Sequence, residues 1–318
     1  MKKGYLFLLP ALVWILSCKQ EKKTDTAILF TPLADSAQAI SLMGDTLYPN
    51  SPYENVLVKF DSARIVYEAS PNDADKLIWY GRWAGYKGDF RKAIEIFTVG
   101  ATMFPGDARM YRHRGHRYIS IREFDRAIAD LEKAATLIQG KKDEVEPDGQ
   151  PNALNIPISS LHSNIWYHLG LAYYLKNDLS KALPVYERAV KESENDDKLV
   201  STTHWLYMVY RMTGNDSAAQ RILAPIKTEM NIIENNAYQK LCLLYKGLLP
   251  VDSVLMVNGT VTSNDAVTYG VANWYRYNGE TEKAKTYYEQ ILKGKVWASF
   301  GYIAAEADYV RYYKSKGK

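Results

Sequence analysis

Apolar and small residues along most of this chain recur at helical spacing, with no sustained strand-like alternation. Trp166, Leu169/Gly170 and Tyr173 fall at i, i+3/i+4 and i+7, which is one face of a helix. A small residue followed twelve positions later by alanine occurs four times: Gly81 and Ala93, Gly115 and Ala127, Gly170 and Ala182, Ala272 and Ala284. Three residues after the first small position stands Tyr118, Tyr173 or Tyr275, with Ala84 in the first unit. Four after the alanine stands Phe97, Leu131, Tyr186 or Tyr288. Turn formers (Gly88, Asn177-Asp178, Gly279) lie between the two anchors. Small residues at fixed places let two helices approach, and large ones fill the space beside them, so each unit reads as a helical hairpin.

The hairpins repeat with a period. Gly81 to Gly115, Ala93 to Ala127 and Pro71 to Pro105 are each 34 residues. The pattern W-x2-L-G-x2-Y, then A-x3-F/Y and a closing proline, resembles the tetratricopeptide repeat. The resemblance implies an all-α superhelical array of helix-turn-helix units with terminal capping helices, over roughly Tyr53 to Tyr313. The expected layout is an N-terminal helical cap or partial repeat over 28–73, two repeats over 74–139, and an irregular insertion over 140–160. Further repeats over 161–296 include a degenerate one near 236–256, and 297–318 is a closing helix and tail. Pro147, Asp148-Gly149, Pro151 and Pro157 mark the insertion as irregular.

In such an array the first helix of each hairpin lines the inner wall, and its positions 2, 5, 9, 12 and 13 hold peptide in the family. Carried onto this sequence, these positions include Arg82 and Tyr86, then Arg109, Arg112 and His116, then Asn164, Tyr167, Leu171 and Tyr174, then Met208. The reading is a basic patch beside an aromatic and apolar strip, suited to an acidic or carboxylate-ended protein segment. The same arginine run also reads as a solvated face paired with local acids.

Composition changes this picture little. Hydrophobic residues make up 47%, enough for an extended core, and the 25 tyrosines fit either bulky packing positions or a binding surface. Net charge is +4, and removing the first 17 residues with Lys2 and Lys3 leaves 38 basic against 36 acidic side chains. A near-neutral chain has no global electrostatic pull toward nucleic acid.

The first residues carry a second signal. Met1-Lys2-Lys3 precedes 13 uncharged residues, Gly4 to Leu16, too few for a comfortable membrane span but suited to a signal peptide. Ile15-Leu16-Ser17-Cys18 resembles a bacterial lipobox, although Leu16 stands where a smaller residue is usual. The resemblance implies removal of residues 1–17, a lipid on the Cys18 thiol, and a polar tether over 18–27. Lys19 in place of an aspartate implies outer-membrane sorting within the cell envelope.

Catalytic chemistry is not legible. His113 and His116 share a helix face without a completing metal ligand and read as surface histidines, and no H-E-x-x-H, G-x-S-x-G or phosphate loop occurs. Cys242 sits in an apolar helix and reads as buried. Glu306 and Asp308, two apart on a helix, point to different faces. The expectation is a membrane-anchored scaffold for protein or peptide partners in envelope complex assembly, without cofactor or metal. The alternative is a glycan-binding outer-membrane lipoprotein of the starch-utilisation type, with its seven Trp as sugar platforms.

Overall fold

The computed structural model describes Met1, residues 36–257, 260–262 and 264–314. The signal segment, Cys18 and its tether lie outside the described residues. The described residues from 36 onward form one compact unit, built as a run of helical pairs.

A short antiparallel hairpin, β1 (Ala39–Ile40) and β2 (Thr46–Leu47), opens the described part of this unit. Helix α1 (Glu54–Glu68) comes next, then paired helices: α2 (Ala74–Tyr86) with α3 (Phe90–Met103), and α4 (Ala108–Ser120) with α5 (Phe124–Leu137). After the insertion come α6 (Leu161–Leu175) with α7 (Leu179–Lys191), and α8 (Asp196–Met212) with the short α9 (Asp216–Ile222). The degenerate unit is α10 (Asn236–Tyr245) and α11 (Val251–Leu255), with a second small hairpin after it, β3 (Met256–Val257) and β4 (Thr260–Val261). The last pair is α12 (Asp265–Tyr277) and α13 (Thr281–Leu292), closed by α14 (Phe300–Tyr309) and a π-helical segment, Val310–Lys314. The helical-hairpin array is therefore present, and the stretch ahead of α1, expected to be helical, contains a β-hairpin. Ala37, Ala39 and Leu47 bury there.

Local chemistry sets the helix starts. Asp73 and Asp107 cap α2 and α4, Asp178 caps α7, and Asn195, Asn215 and Asn264 cap α8, α9 and α12, each accepting backbone N–H groups that the first turn leaves unpaired. Ser160 and Ser163 form a reciprocal capping box on α6. Small residues set the helix spacing. A Cβ on Gly81 would stand 2.6 Å from the Phe97 ring, and one on Gly170 would stand 2.7 Å from the Tyr186 ring. Where α8 carries Tyr207 in place of the small residue, its ring stacks on Tyr245 of α10 at 4.1 Å.

The array also folds back on itself. Helix α14 packs on α12 and α13, and it touches α6 as well. Its Glu306 is fully buried, pairs with Arg122 Nε at 2.9 Å, and accepts the Leu42 N–H at 3.0 Å. Arg122 also donates to the carbonyls of Ser120 and Trp297. Trp297 in turn lies edge-on to Phe90 and donates its indole N–H to the Tyr48 carbonyl. Asp308, also buried, accepts from Tyr269 OH at 2.7 Å and pairs with Arg311, which reaches the Leu175 carbonyl. Glu306 and Asp308 do face different neighbours, but both are structural and neither is solvated.

Removing one partner of a buried ion pair leaves the other charged and unpaired, at a cost of about 3–5 kcal/mol. Glu306→Ala should therefore lower the thermal unfolding midpoint by several degrees. The double change Arg122→Met/Glu306→Leu should recover most of the loss in the same calorimetric scan.

Candidate functional site

The first helices α2, α4, α6 and α8 stand side by side along the inner face, as the periodicity implies. Their exposed part is smaller than the open wall the sequence predicts, because two other segments lie on it. One is α14. Phe300 contacts His116, His168 and Tyr167 with ring centroids 5.2, 5.4 and 6.1 Å away. The other is the insertion. Its base is tied by Glu146 N to Ser159 O, Leu161 N to Glu144 O, and Asp143 accepting from Ser160 and His162. From that base it runs across α2, α4 and α6.

Several expected contact residues are consequently displaced from the open wall. Leu171, Tyr174 and Met208 are buried, 0%, 1% and 0% exposed. Tyr174 OH hydrogen-bonds Tyr269 OH at 2.6 Å, and Met208 lies against Asn273, so this part of the apolar strip is interior packing with α12. Arg112 is buried against Glu146 of the insertion at 3.0 Å. Arg109 turns away from the patch and is bound by Asp107 and Asp75, both at 2.6 Å. The basic patch is thus largely neutralised by local acids, the second of the two sequence readings. Arg82 and Tyr86 line a recess beside Arg112, and His116 and Tyr167 line the remaining larger space.

That space is a cleft of about 490 Å³ between the insertion, α4, α6, α7, α8 and the 234–238 segment, with Phe300 at one side. Asp197 fixes the far wall, its carboxylate accepting the N–H groups of Ile233, Glu234 and Asn235 at 2.7–2.9 Å. Tyr167 and Tyr238 share a hydroxyl contact at 3.1 Å, and Trp205 donates to Tyr167 OH. Trp166, whose ring Arg188 covers at 4.0 Å, also lines the cleft. A narrower recess of about 160 Å³ adjoins the cleft between Arg82, Arg112 and Arg117 and the insertion.

The titrating groups here are held in their neutral forms where they can be. Burial drives His113, His116 and His168 well below the usual histidine range, and neighbouring guanidinium groups add to it. Neutral His116 and His113 accept from Arg117 Nη2 at 2.6 Å and Arg112 Nη1 at 2.9 Å. His168 Nδ1 donates to the Asn164 carbonyl. Burial lowers Arg117 to about 10. The expectation of surface histidines is corrected: His113 is 5% exposed and stacks on Phe97. Cys242 is buried as expected, with its thiol pushed up by burial. No group of three or more metal-ligating side chains occurs among the described residues.

His168, Arg117, Lys198, Tyr238, Glu146 and Phe300 were not legible as site residues. Glu146 and Phe300 come from segments outside the repeat, and Arg117 falls off the positions assigned to the inner wall. Of the tryptophans, Trp83, Trp166, Trp205 and Trp297 are buried, and Arg82 covers the Trp79 ring at 4.4 Å.

Residues 163–196 and 266–293 match family models described as "Tetratricopeptide repeat". Among curated proteins, the BBSome complex member BBS4 of Bos taurus is 28% identical and that of Mus musculus 24% identical, each over 139 residues. Each match covers 44% of this chain and 22% of the relative, so the chain spans about a fifth of the length of these relatives. Among solved structures, YrrB, described as a TPR protein with an unusual peptide-binding site, aligns at TM-score 0.43 and 16% identity, over 77% of this chain and 96% of its own. Naa15/Naa10 bound to HypK-THB aligns at 0.36 and 14%, over 83% and 40%.

Unfolding returns each buried imidazole to about 6.5, so below that pH the unfolded chain binds protons that the folded chain does not. Burial holds His204 at about 3. Stability should therefore fall as pH drops from 6.5 toward 3, by about 1.4 kcal/mol per pH unit for each such histidine. Denaturant titrations at pH 7.5 and 5.5 should show this, with a smaller difference for His204→Gln.

Proposed function

We propose that this chain, a tetratricopeptide-repeat protein, is a non-catalytic scaffold that binds a protein or peptide segment in the inner-face cleft. The observation that carries the reading is the cleft itself, walled by Trp166, Tyr167, Tyr238 and Phe300 with Asn164, Ser163, Lys198 and Ser201 beside them. Rings next to a few polar groups suit a peptide, whose apolar side chains and backbone amides need both kinds of contact. Glycan binding is less well supported, because most of the tryptophans that would stack on sugar rings are committed to packing.

The site of action we propose is the cell envelope, with the outer membrane favoured and the chain tethered through a lipid on Cys18 by its 18–27 linker. The support is the charged start, the short apolar run and the cysteine that closes it. A scaffold tethered there would serve assembly of envelope complexes, holding a partner segment near the membrane.

A photo-crosslinking side chain in place of Tyr238 should give discrete protein adducts in cells, and the same probe at Lys133 on an outer helix should not. Equal labelling from both positions, or none from Tyr238, would sink the cleft reading. Separately, Cys18→Ala should move the protein from the membrane pellet to the soluble or unprocessed fraction. Unchanged fractionation, with no lipid mass on Cys18 in the wild type, would refute the anchor.

A further inference from the structure

The insertion does more than border the inner face, because its first half makes the contacts expected of a ligand. The Glu146 carboxylate meets Arg112 Nη2 at 3.0 Å and accepts from Asn164 Nδ2 at 3.1 Å. The next carbonyl, that of Pro147, accepts from Arg82 Nη1 at 2.6 Å. Gly149 then lies against the Tyr86 ring, so closely that a Cβ there would be 2.6 Å from a ring carbon. Arg82, Tyr86, Arg112 and Asn164 stand at inner-wall positions where an array of this kind takes its peptide.

The attachment is polar and local. Beyond it the insertion is mostly exposed, with Leu154 63% and Ile156 48% exposed, and it is tied to the rest of the fold by Asn152 donating to Glu234 and by Asn195 donating to the Ile158 carbonyl. Nothing apolar of any size is buried by residues 146–148, so the contacts that hold them are ones a second chain could supply equally well. The charge beneath favours an acidic occupant. Arg82, Arg112 and Arg117 converge on the recess, and among the described residues Glu146 is the one carboxylate paired directly with them.

We propose that residues 146–149, Glu-Pro-Asp-Gly, lie on the inner wall over Arg82, Tyr86, Arg112 and Asn164 in cis as a resident ligand, and that the partner segment is an acidic extended peptide that exchanges with them. This rests on the reading of the inner face as a peptide-binding site and adds to it the chemistry of the occupant and a competition that limits access. A tethered occupant acts at an effective concentration of order millimolar, so a free segment of similar chemistry binds well only when the tether is weakened or outmatched. Long-range attraction to the three arginines makes exchange sensitive to ionic strength.

The test uses a fluorescent peptide with the sequence of residues 143–150 and the whole chain, read by anisotropy. Glu146→Gln, which weakens the resident, should bind the probe about tenfold or more tightly than the wild type. So should a variant with 146–149 replaced by Gly-Ser-Gly-Ser, which removes the resident and leaves the wall intact. Adding Arg112→Gln to that replacement should abolish the gain, and circular dichroism melts confirm that each variant is folded. Equal probe affinity for the wild type and both resident variants would overturn the proposal. If Tyr238 crosslinks persisted in that case, the cleft reading would stand and only the cis occupancy would fail. Loss of both would sink both.

Discussion

Three stretches of chain meet at one buried ion pair. Arg122 lies in the turn between α4 and α5, and Glu306 comes from α14, 184 residues later. Side-chain exposure is 3% and 1%. The arginine spends its remaining donors on Ser120 and Trp297, and the glutamate accepts from Leu42, so the N-terminal hairpin, the second helix pair and the C-terminal segment share one network. A buried pair is tolerable only when its other hydrogen-bonding capacity is filled, and here it is. The other hairpins place Gly88, Asn177, Gly214, Gly247 and Gly279 at this same turn position, all with positive φ. Arg122 adopts φ 68 there without the freedom of glycine. The left-handed backbone costs an L-residue roughly 1–2 kcal/mol, less than the roughly 3–5 kcal/mol at stake in the pair. The local rule gives way to the tertiary contact.

That closure decides what kind of inner face the array has. An open superhelix would leave Leu171, Tyr174 and Met208 to a partner, and here α12 and α14 cover them instead. What stays accessible is the later half of α2 and α4 and the first turns of α6 and α8, where the insertion crosses the wall. The division explains the neutral histidines. His116 and His168 sit beneath Phe300 and close to arginines, where a second positive charge would be both desolvated and repelled.

Helix boundaries were legible because each repeat carries its own caps, turn and small residue, and these act within some 34 residues of chain. Helices α2 and α6 begin at Ala74 and Leu161, and α10 with the short α11 covers the stretch in which the repeat pattern is weakest. The site was less legible because its occupants obey no period. Nothing in Pro147 to Gly149 announces that the loop lies back on Arg82 and Tyr86, and one phenylalanine in α14 does not advertise three neighbours from earlier repeats. The arginine run around Arg109 to Arg117 illustrates the limit. Its charges were visible, but their partners, Asp75, Asp107, Asp130 and Glu146, lie in α2, the turn before α4, α5 and the insertion.

The tyrosine excess has its origin in the same closure. Packing a polar-edged helix such as α14 inside an array buries hydroxyls and carboxylates together, and each buried hydroxyl needs a partner. Tyr174 meets Tyr269, Tyr269 reaches Asp308, and Tyr288 donates to Asn273 at 2.6 Å. Phenylalanine would fill the same volume yet leave Asp308 and Asn273 short of donors. Tyrosine supplies bulk and a hydrogen bond from one side chain, so a core closed over polar groups selects it repeatedly. The tyrosine count fitted either packing or a binding surface; Tyr174, Tyr269 and Tyr288 are packing that closes the face, and the cleft lined by Tyr167 and Tyr238 is where that closure stops.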